Sequence, residues 1–355
     1  MRHALALGQR GWGNTWPNPA VGCVIIKDNR VIGRGWTQPG GRPHAETMAL
    51  AQAGAQAQGA TVYVTLEPCA HHGQTPPCAA ALIAAGVAQV VSAVADPDPR
   101  VSGRGHALLR QAGISVTEGV AEAEAGRANA GFFLRVQAQR PHLTLKLATT
   151  LDGRIATATG ASRWITGPEA RRMVHALRAQ SDAVMVGIGT ALADDPDLTV
   201  RDMGAVRQPV RVVLDRALRL PLTSRLVLTA QQVPLWLCHG DATSPTLQQA
   251  GARQIQCATI GQSLDLKDVM TQLAKVGLTR VLCEGGAGIA AGLLQAGLVD
   301  EVMLFTAGRV IGGDGKGAVA ALAGRNPLAG LAEFECVDSR SLGDDAVSQW
   351  RRRSV

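Results

Sequence analysis

EPCAHHGQTPPC, residues 67–78, places two cysteines, two histidines and three prolines in twelve positions. So dense a mixture reads as a redox pair, a structural staple, or half of a metal site whose other half lies elsewhere. The surrounding sequence decides what carries it. Upstream, AVGCVIIKD (20–28) is an apolar run of strand length, HAETMALAQAG (44–54) a helix closed by Gly54, and ATVYVTLEP (60–68) a second strand. Downstream, CAAALIAAG (78–86) reads as a short helix, AQVVSAVAD (88–96) as a third strand and GRGHALLRQAG (103–113) as another helix. Strands separated by helices of this length imply an α/β fold whose sheet is covered on both faces. The alternation fades through AEAEAGRANAGFFLRVQAQRP (121–141), read as one helical segment that stops before Pro141.

A second α/β pattern restarts there. HLTLKLATT (142–150) is a strand, and LDGRIA (151–156) a turn leading back into extended chain. TGPEARRMVHALRAQ (166–180) is a helix with Thr166 as N-cap and Pro168 in the first turn. DAVMVGIG, PVRVVLD and VPLWLC follow as strands, then the helix LKDVMTQLAKVG. RVLCEGGAGIAAGLLQAGLVDEVMLF (280–305) reads strand, glycine loop, helix, strand. No internal repeat relates the two halves.

A length of 355 residues suits two domains, expected at 1–140 and 141–355. With 46% hydrophobic residues the chain supports two cores. It has no apolar run of about 18 residues and no secretory leader, so a cytoplasmic protein without membrane attachment is expected. Seven scattered cysteines in a reducing compartment serve as core residues, metal ligands or catalysts rather than disulfides. The net charge of +7 is compatible with nucleic acid, but aromatics make up only 3% and no long basic run occurs. Phosphorylated small molecules account for the positive balance equally well.

The opening stretch gains a partner in PHAETMAL. His44 and Glu46 begin a helix; Cys69 and Cys78 flank the proline-rich loop, with Cys78 heading the next helix. One imidazole and two thiolates form a three-ligand zinc set that leaves a tetrahedral position for water. A helix N-terminus lowers a thiol pKa and so favours the thiolate that zinc requires. Glu46, two residues past the histidine, is placed to carry protons, as in the deaminase signature H-x-E with P-C-x-x-C. Lowering the pKa of water from about 15.7 to about 7 is worth on the order of 12 kcal/mol; general acid–base catalysis adds roughly 3–5. A structural zinc site with His71 or His72 as fourth ligand is the competing interpretation. The spacing departs from the signature, since eight residues separate the two cysteines.

NPAVG, HAE and EPCAHHGQTPPC closely resemble the deaminase half of the RibD family, the bifunctional deaminase–reductases of riboflavin biosynthesis. That resemblance implies a cytidine deaminase-like α/β/α domain with zinc, one per chain, on His44, Cys69 and Cys78 and with Glu46 as catalytic proton donor. Asn18 would hold the pyrimidine and His71 would lie over the sugar phosphate; Gln74 stands where the family carries Lys or Arg. The second half is similar to the family's reductase through LKLATTLDGRIA, GASRWIT, LRAQSDAVMVGIGTALADDPDLTVR and CEGGAGIAAGLL. It implies a dihydrofolate reductase-like α/β domain. NADPH contacts are expected at Ala148, Trp164, Thr190, Asp194 and across Gly286, Ala287, Gly288, Ile289, Ala290, Ala291 and Gly292. Ser162, Arg178, Leu198, Arg201 and Glu284 would face the substrate, the arginines on its phosphate. Thr150 replaces the more usual Ser, and Arg216 the serine usual after the VLD strand.

The residues themselves agree in outline. EGGAGIA follows a strand and opens a helix, so free N–H groups meet an anion and glycine permits close approach. It also fits G-x-G-x-x-A, yet it sits near the chain end and Asp300 comes too soon to be a ribose ligand. Lys146, between apolar strand neighbours, needs a partner, expected near Glu284. Cys23, Cys238, Cys257 and Cys283 read as core side chains, His175 as a packing residue, and Arg171–Arg172 and Arg351–Arg353 as solvated faces. The expected function is therefore deamination of 2,5-diamino-6-ribosylamino-4(3H)-pyrimidinone 5′-phosphate, then NADPH-dependent reduction of its ribosyl group to ribityl. The partner is a small phosphorylated pyrimidine, not nucleic acid, with the enzyme expected as a homo-oligomer. A tRNA base deaminase fused to a nucleotide-binding domain is the rival, and a zinc-stapled nucleotide sensor a third reading.

Overall fold

Two sheets organise the chain, one in each of two units, Met1–Arg140 and Pro141–Val355. The computed structural model describes residues 1–70, 76–99, 101–204, 206–322 and 333–353. The first unit runs α1 (Arg2–Gly8), β1 (Gly22–Lys27), β2 (Arg30–Trp36), α2 (Ala45–Ala53), β3 (Thr61–Val64), α3 (Cys78–Ala84) and β4 (Gln89–Ser92). It continues with α4 (Arg104–Gln111), β5 (Ser115–Thr117), α5 (Glu122–Ala128) and α6 (Ala130–Gln137). Its sheet order is β2-β1-β3-β4-β5; β1 is antiparallel to both neighbours, while β3–β4 and β4–β5 are parallel.

Both faces of that sheet are covered, as the alternation implied. Along β1, Cys23 and Ile25 pack with Ala45, Ala49, Ala79 and Leu82 of α2 and α3, whereas Val24 packs with Ala4 and Leu7 of α1. The strand β2 was not foreseen. It forms a hairpin with β1 through Asp28 and Asn29, whose φ angles of 49° and 58° are those of a two-residue turn matching strand twist. Helix α2 lies directly on this hairpin: a Cβ at Gly35 would sit 2.1 Å from the Ala45 carbonyl. Only glycine allows α2, which begins at the candidate metal site, to approach so closely.

Residues 121–137 form two helices, not the single one expected. They break at Asn129 (φ −105°, ψ 16°), whose side chain accepts a hydrogen bond from the Ala20 amide at 3.1 Å. A tertiary bond thus overrides local helix propensity.

The second unit contains β6 (His142–Thr150), β7 (Arg154–Ala156), α7 (Pro168–Ala179), β8 (Ala183–Gly187), α8 (Ile188–Asp194), β9 (Val210–Leu214) and α9 (Arg225–Leu228). Next come β10 (Leu235–His239), α10 (Pro245–Gln249), β11 (Ala252–Gln256), β12 (Thr259–Ile260), β13 (Ser263–Leu264) and α11 (Leu266–Lys275). It ends with β14 (Arg280–Gly285), α12 (Ala287–Gln295), β15 (Glu301–Ala307), β16 (Lys316–Gly317), β17 (Phe334–Leu342) and β18 (Asp345–Arg352). The nine-stranded sheet is ordered β11-β10-β9-β8-β14-β6-β15-β18-β17 and is parallel from β11 to β15. Every residue of β8, β9 and β10 is buried, as expected of strands enclosed on both faces.

The antiparallel hairpin β17–β18 adds the edge that the sequence pattern did not disclose. There the terminal arginines are partnered rather than simply solvated: Arg351 faces Glu335 at 3.6 Å, Arg353 faces Glu333 at 3.7 Å, and Arg352 donates to the Gly297 carbonyl. The N-cap of α7 is Gly167, not Thr166, because Pro168 takes the first helical position. The Gly167 amide donates to Asp345 at 2.7 Å, a bond from the terminal hairpin. Arg171 is likewise held, its guanidinium 4.9 Å over the Trp164 ring.

Candidate active sites

The extended backbone of His44 (φ −72°, ψ 162°) caps α2, and Glu46 occupies the first turn of that helix. Cys78 opens α3, and Cys69 follows β3 on the coil toward it. His44 Nδ1 lies 3.2 Å from Cys78 Sγ and 3.7 Å from Cys69 Sγ. All three ligand atoms fall within 4.8 Å of one another. Tetrahedral zinc with Zn–S of about 2.3 Å and Zn–N of about 2.0–2.1 Å would separate its ligand atoms by roughly 3.5–3.8 Å. The two N–S separations lie within a few tenths of an ångström of that range, so the set suits that ion. His71 and Gln74 lie outside the described residues.

Of the two thiols, Cys69 is the thiolate, while Cys78 keeps its proton despite its place at a helix start. The bond from the Cys78 thiol is the largest effect holding Cys69 down at about 4, and the same bond raises Cys78. Hydrogen bonding to Cys69 likewise raises His44. Burial pushes the Glu46 carboxyl up to about 7 against the attraction of His44. A carboxyl near neutrality is suited to taking and returning protons.

Glu46, His44 and Cys69 line a cavity of about 460 Å³ together with Asn18, Asp96 and Asp98. Burial raises Asp96 to about 6. Glu67, absent from the expected site, holds this cavity in shape. Its carboxylate accepts from the amides of Asp96 (3.2 Å), Gly103 (3.0 Å), Gly105 (2.9 Å) and His106 (3.4 Å). The only local signal was an acidic residue next to Pro68 and Cys69, and nothing nearby in sequence reveals its partners.

In the second unit Thr190 of α8 meets the glycine turn after β14 at the carboxyl ends of the parallel strands β8 and β14, where ligands of open α/β sheets bind. Gly285 and Gly286 take φ of 145° and 79° between β14 and α12. A Cβ at Gly286 would approach Thr190 Oγ1 to 3.0 Å, and one at Gly288 would meet open space. This is a cradle for an anion at a helix start, and it fits the pyrophosphate of a dinucleotide. Of the segment expected to meet NADPH, Gly286, Ala287, Gly288 and Ile289 form the turn and the helix start. Ala290 and Ala291 are buried, and Gly292 packs on Leu266 of α11.

Arg178 and Glu284 form a bidentate pair, Nε to Oε1 at 2.5 Å and Nη2 to Oε2 at 2.9 Å, and Arg178 also donates to the Thr199 carbonyl at 2.8 Å. Arg178 and Glu284, both expected to face the substrate, are thus paired with each other. Arg201, beside His175, is half-exposed and pairs with Asp197 at 3.3 Å. Leu198 (φ 54°) buries its side chain in the core with Val184 and Val186, leaving only its main chain to meet a substrate. Burial alone raises Glu284, yet Arg178 and then Lys146 hold it below its ordinary value; burial lowers Lys146 against the pull of Glu284. Lys146 therefore sits in the field of Glu284, as expected.

Trp164 is 60% exposed, its carbonyl accepting from Arg309 at 3.0 Å, while the Asp194 carbonyl accepts from Arg163 at 2.6 Å. Ala148 packs beside Met303 and Phe305, and Ser162 is half-buried between β7 and α7. Thr150 donates to Asp152 at 2.5 Å and accepts from the Arg154 amide at 2.9 Å, fixing the turn after β6.

Comparison with known proteins places both units. The family model for the RibD C-terminal domain matches residues 141–348, and that for the cytidine and deoxycytidylate deaminase zinc-binding region matches residues 1–94. The chain is 44% identical to riboflavin biosynthesis protein RibD of Escherichia coli (strain K12), over 97% of this chain and 96% of that protein. It is 41% identical to its counterpart from Aquifex aeolicus, over 88% and 87%. Among solved structures, Acinetobacter baumannii RibD superposes with a TM-score of 0.90 at 40% identity, covering 99% of this chain and 98% of that one. A diaminohydroxyphosphoribosylaminopyrimidine deaminase/5-amino-6-(5-phosphoribosylamino)uracil reductase from Thermotoga maritima gives 0.86 at 33%, covering 99% and 97%. The α/β architecture is accordingly cytidine deaminase-like in the first unit and dihydrofolate reductase-like in the second. A thiolate–imidazole cluster on one sheet and a glycine cradle on the other, in a chain matched end to end by such relatives, lead to one conclusion: the chain belongs to the RibD family of bifunctional deaminase–reductases of riboflavin biosynthesis.

Proposed function

We propose that the first unit deaminates 2,5-diamino-6-ribosylamino-4(3H)-pyrimidinone 5′-phosphate and that the second reduces the ribosyl group of the product to ribityl with NADPH. The observation that carries this reading is the convergence of His44, Cys69 and Cys78, with His44, Cys69 and a buried Glu46 lining one cavity. His44, Cys69 and Cys78 would hold one zinc ion, which supplies Lewis acidity that lowers the pKa of water toward 7. Glu46 takes a proton from the attacking water and delivers it to the ring nitrogen, then carries the hydroxyl proton of the tetrahedral adduct to the amino group, which leaves as ammonia. Asn18 orients the pyrimidine from the cavity wall.

In the second unit NADPH, when bound, would supply the hydride that reduces the first carbon of the opened sugar. The amides of the first turn of α12 hold the dinucleotide, with Thr190 beneath Gly286. Ala148, Trp164 and Asp194 complete that subsite, and Ser162, Arg201 and Glu284 face the substrate. Arg178 keeps the Glu284 carboxylate ionised and oriented. Seven free thiols support placing the enzyme in the cytoplasm.

Incubation with the pyrimidine substrate, with and without NADPH, followed by mass analysis of the products, tests the reading. Without NADPH an amino group should be exchanged for oxygen, and with NADPH the product should also gain two hydrogens. Glu46→Gln should retain zinc and the reduction of pre-deaminated substrate while losing deamination. Loss of both activities together would contradict the division of labour between units.

A further inference from the structure

The cavity beside Glu46 carries charge that the deamination chemistry does not use. Arg42 and Arg135 both line it and both are half-buried. Each is held in place by its own element. Arg42 lies in the loop before His44, where the Gly41 amide donates to the Gln38 carbonyl at 2.9 Å and the Gln38 amide to the Pro43 carbonyl at 3.0 Å. The neighbouring Gly41 is pressed against the Asn18 side chain. Arg135 belongs to α6, whose start is tied down twice. Asn129 accepts from the Ala20 amide at 3.1 Å, and the Trp12 indole donates to the Ala128 carbonyl at 3.1 Å. From that anchored start α6 turns Phe132, Arg135 and Val136 onto the cavity, the i, i+3, i+4 spacing of one helix face.

The carboxylates of the lining would repel an anion. Glu46, Asp96 and Asp98 face the same space, and Glu67 is engaged with four main-chain amides. A volume of about 460 Å³ takes a ring together with its sugar ester. A phosphate dianion drawn into such a site requires cations, and guanidinium suits it through paired N–H donors. We propose that Arg42 and Arg135 form a phosphate subsite of the deaminase cavity, binding the 5′-phosphate ester of the substrate while its amino-bearing ring lies toward Glu46. This subsite rests on the deaminase reading above and adds the group that selects phosphorylated over dephosphorylated substrate.

Steady-state deamination of the phosphorylated substrate and of its dephosphorylated riboside, by wild type and by Arg42→Gln, Arg135→Gln and the double variant, tests it. Each single change should raise KM for the phosphorylated substrate about ten- to a hundredfold, the loss expected of a charge-assisted bond, with kcat within about twofold. KM for the riboside should stay unchanged, so that the two substrates converge in the double variant. Inorganic phosphate should compete with the phosphorylated substrate in wild type and fail to do so in the double variant. Arg42→Lys and Arg135→Lys, which keep the charge, should recover most of the affinity. An unchanged KM in all three glutamine variants, or a parallel rise for the riboside, would overturn the subsite. Failure of wild type to release ammonia from either substrate would instead overturn the deaminase reading.

Discussion

Replacing Glu67 by Gln tests whether one buried carboxylate organises the deaminase cavity. In the native unit its two oxygens serve four amides: Oε2 accepts from Asp96 and Gly103, Oε1 from Gly105 and His106. A carboxamide keeps one acceptor oxygen and turns an NH2 donor toward the other pair. Two amides then lose their acceptor, each at roughly 1–3 kcal/mol, giving about 2–6 kcal/mol in all. The Gly103 amide is only partly buried, which places the expectation in the lower half, about 3 kcal/mol. In a unit of Met1–Arg140 this corresponds to a fall in Tm on the order of 10 °C. Calorimetry of the full chain should show the fall in one transition while turnover of pre-deaminated substrate with NADPH stays normal. Deaminase KM should rise as well, because Asp96, Asp98 and Val101 of the cavity lie on the loop that these amides anchor. A Tm within about 2 °C of wild type would show that water or a local shift satisfies the amides, and that Glu67 does not shape the site.

Other outcomes follow from the same geometry. Cys78→Ser should abolish zinc retention, read by metal analysis, since no third thiolate stands near His44 and Cys69 among the described residues. Gly286→Ala should weaken NADPH binding about tenfold or more, measured by fluorescence titration, because φ of 79° disfavours any side chain and the new Cβ would crowd Thr190. Deamination should not change in that variant. Asp152 is held down at about 2, first by the Thr150 hydroxyl and then by the Gly312 amide. A depressed folded pKa contributes stability above the unfolded value of about 3.9 that is lost as pH falls toward 2. The Tm difference between wild type and Asp152→Asn should therefore be present at pH 5 and close by pH 2; a difference independent of pH would refute the assignment.

The chemistry of the metal cluster was legible because all but Cys69 of its residues head regular elements, at short spacing. His44 and Glu46 begin α2, Cys78 begins α3, and runs of helix-forming residues closed by Gly54 and Gly86 announced both helices. The glycine cradle was equally legible, since a strand, two glycines and a helix in succession leave few backbone conformations open. What stayed hidden depends on partners distant in sequence. The α5–α6 break arises from Asn129 reaching Ala20, 109 residues away, and Arg178 finds Glu284 across 106. Neither pairing leaves a periodic trace in the residues around it. The same holds for β17, largely exposed, and β18, mostly half-buried, which give little hydrophobic alternation to read. Local propensity and hydrophobic period act over a few residues, so they determine where elements begin and which side chains start them. Which carboxylate meets which guanidinium or amide is decided only when the sheets close and burial makes every unpaired polar group costly.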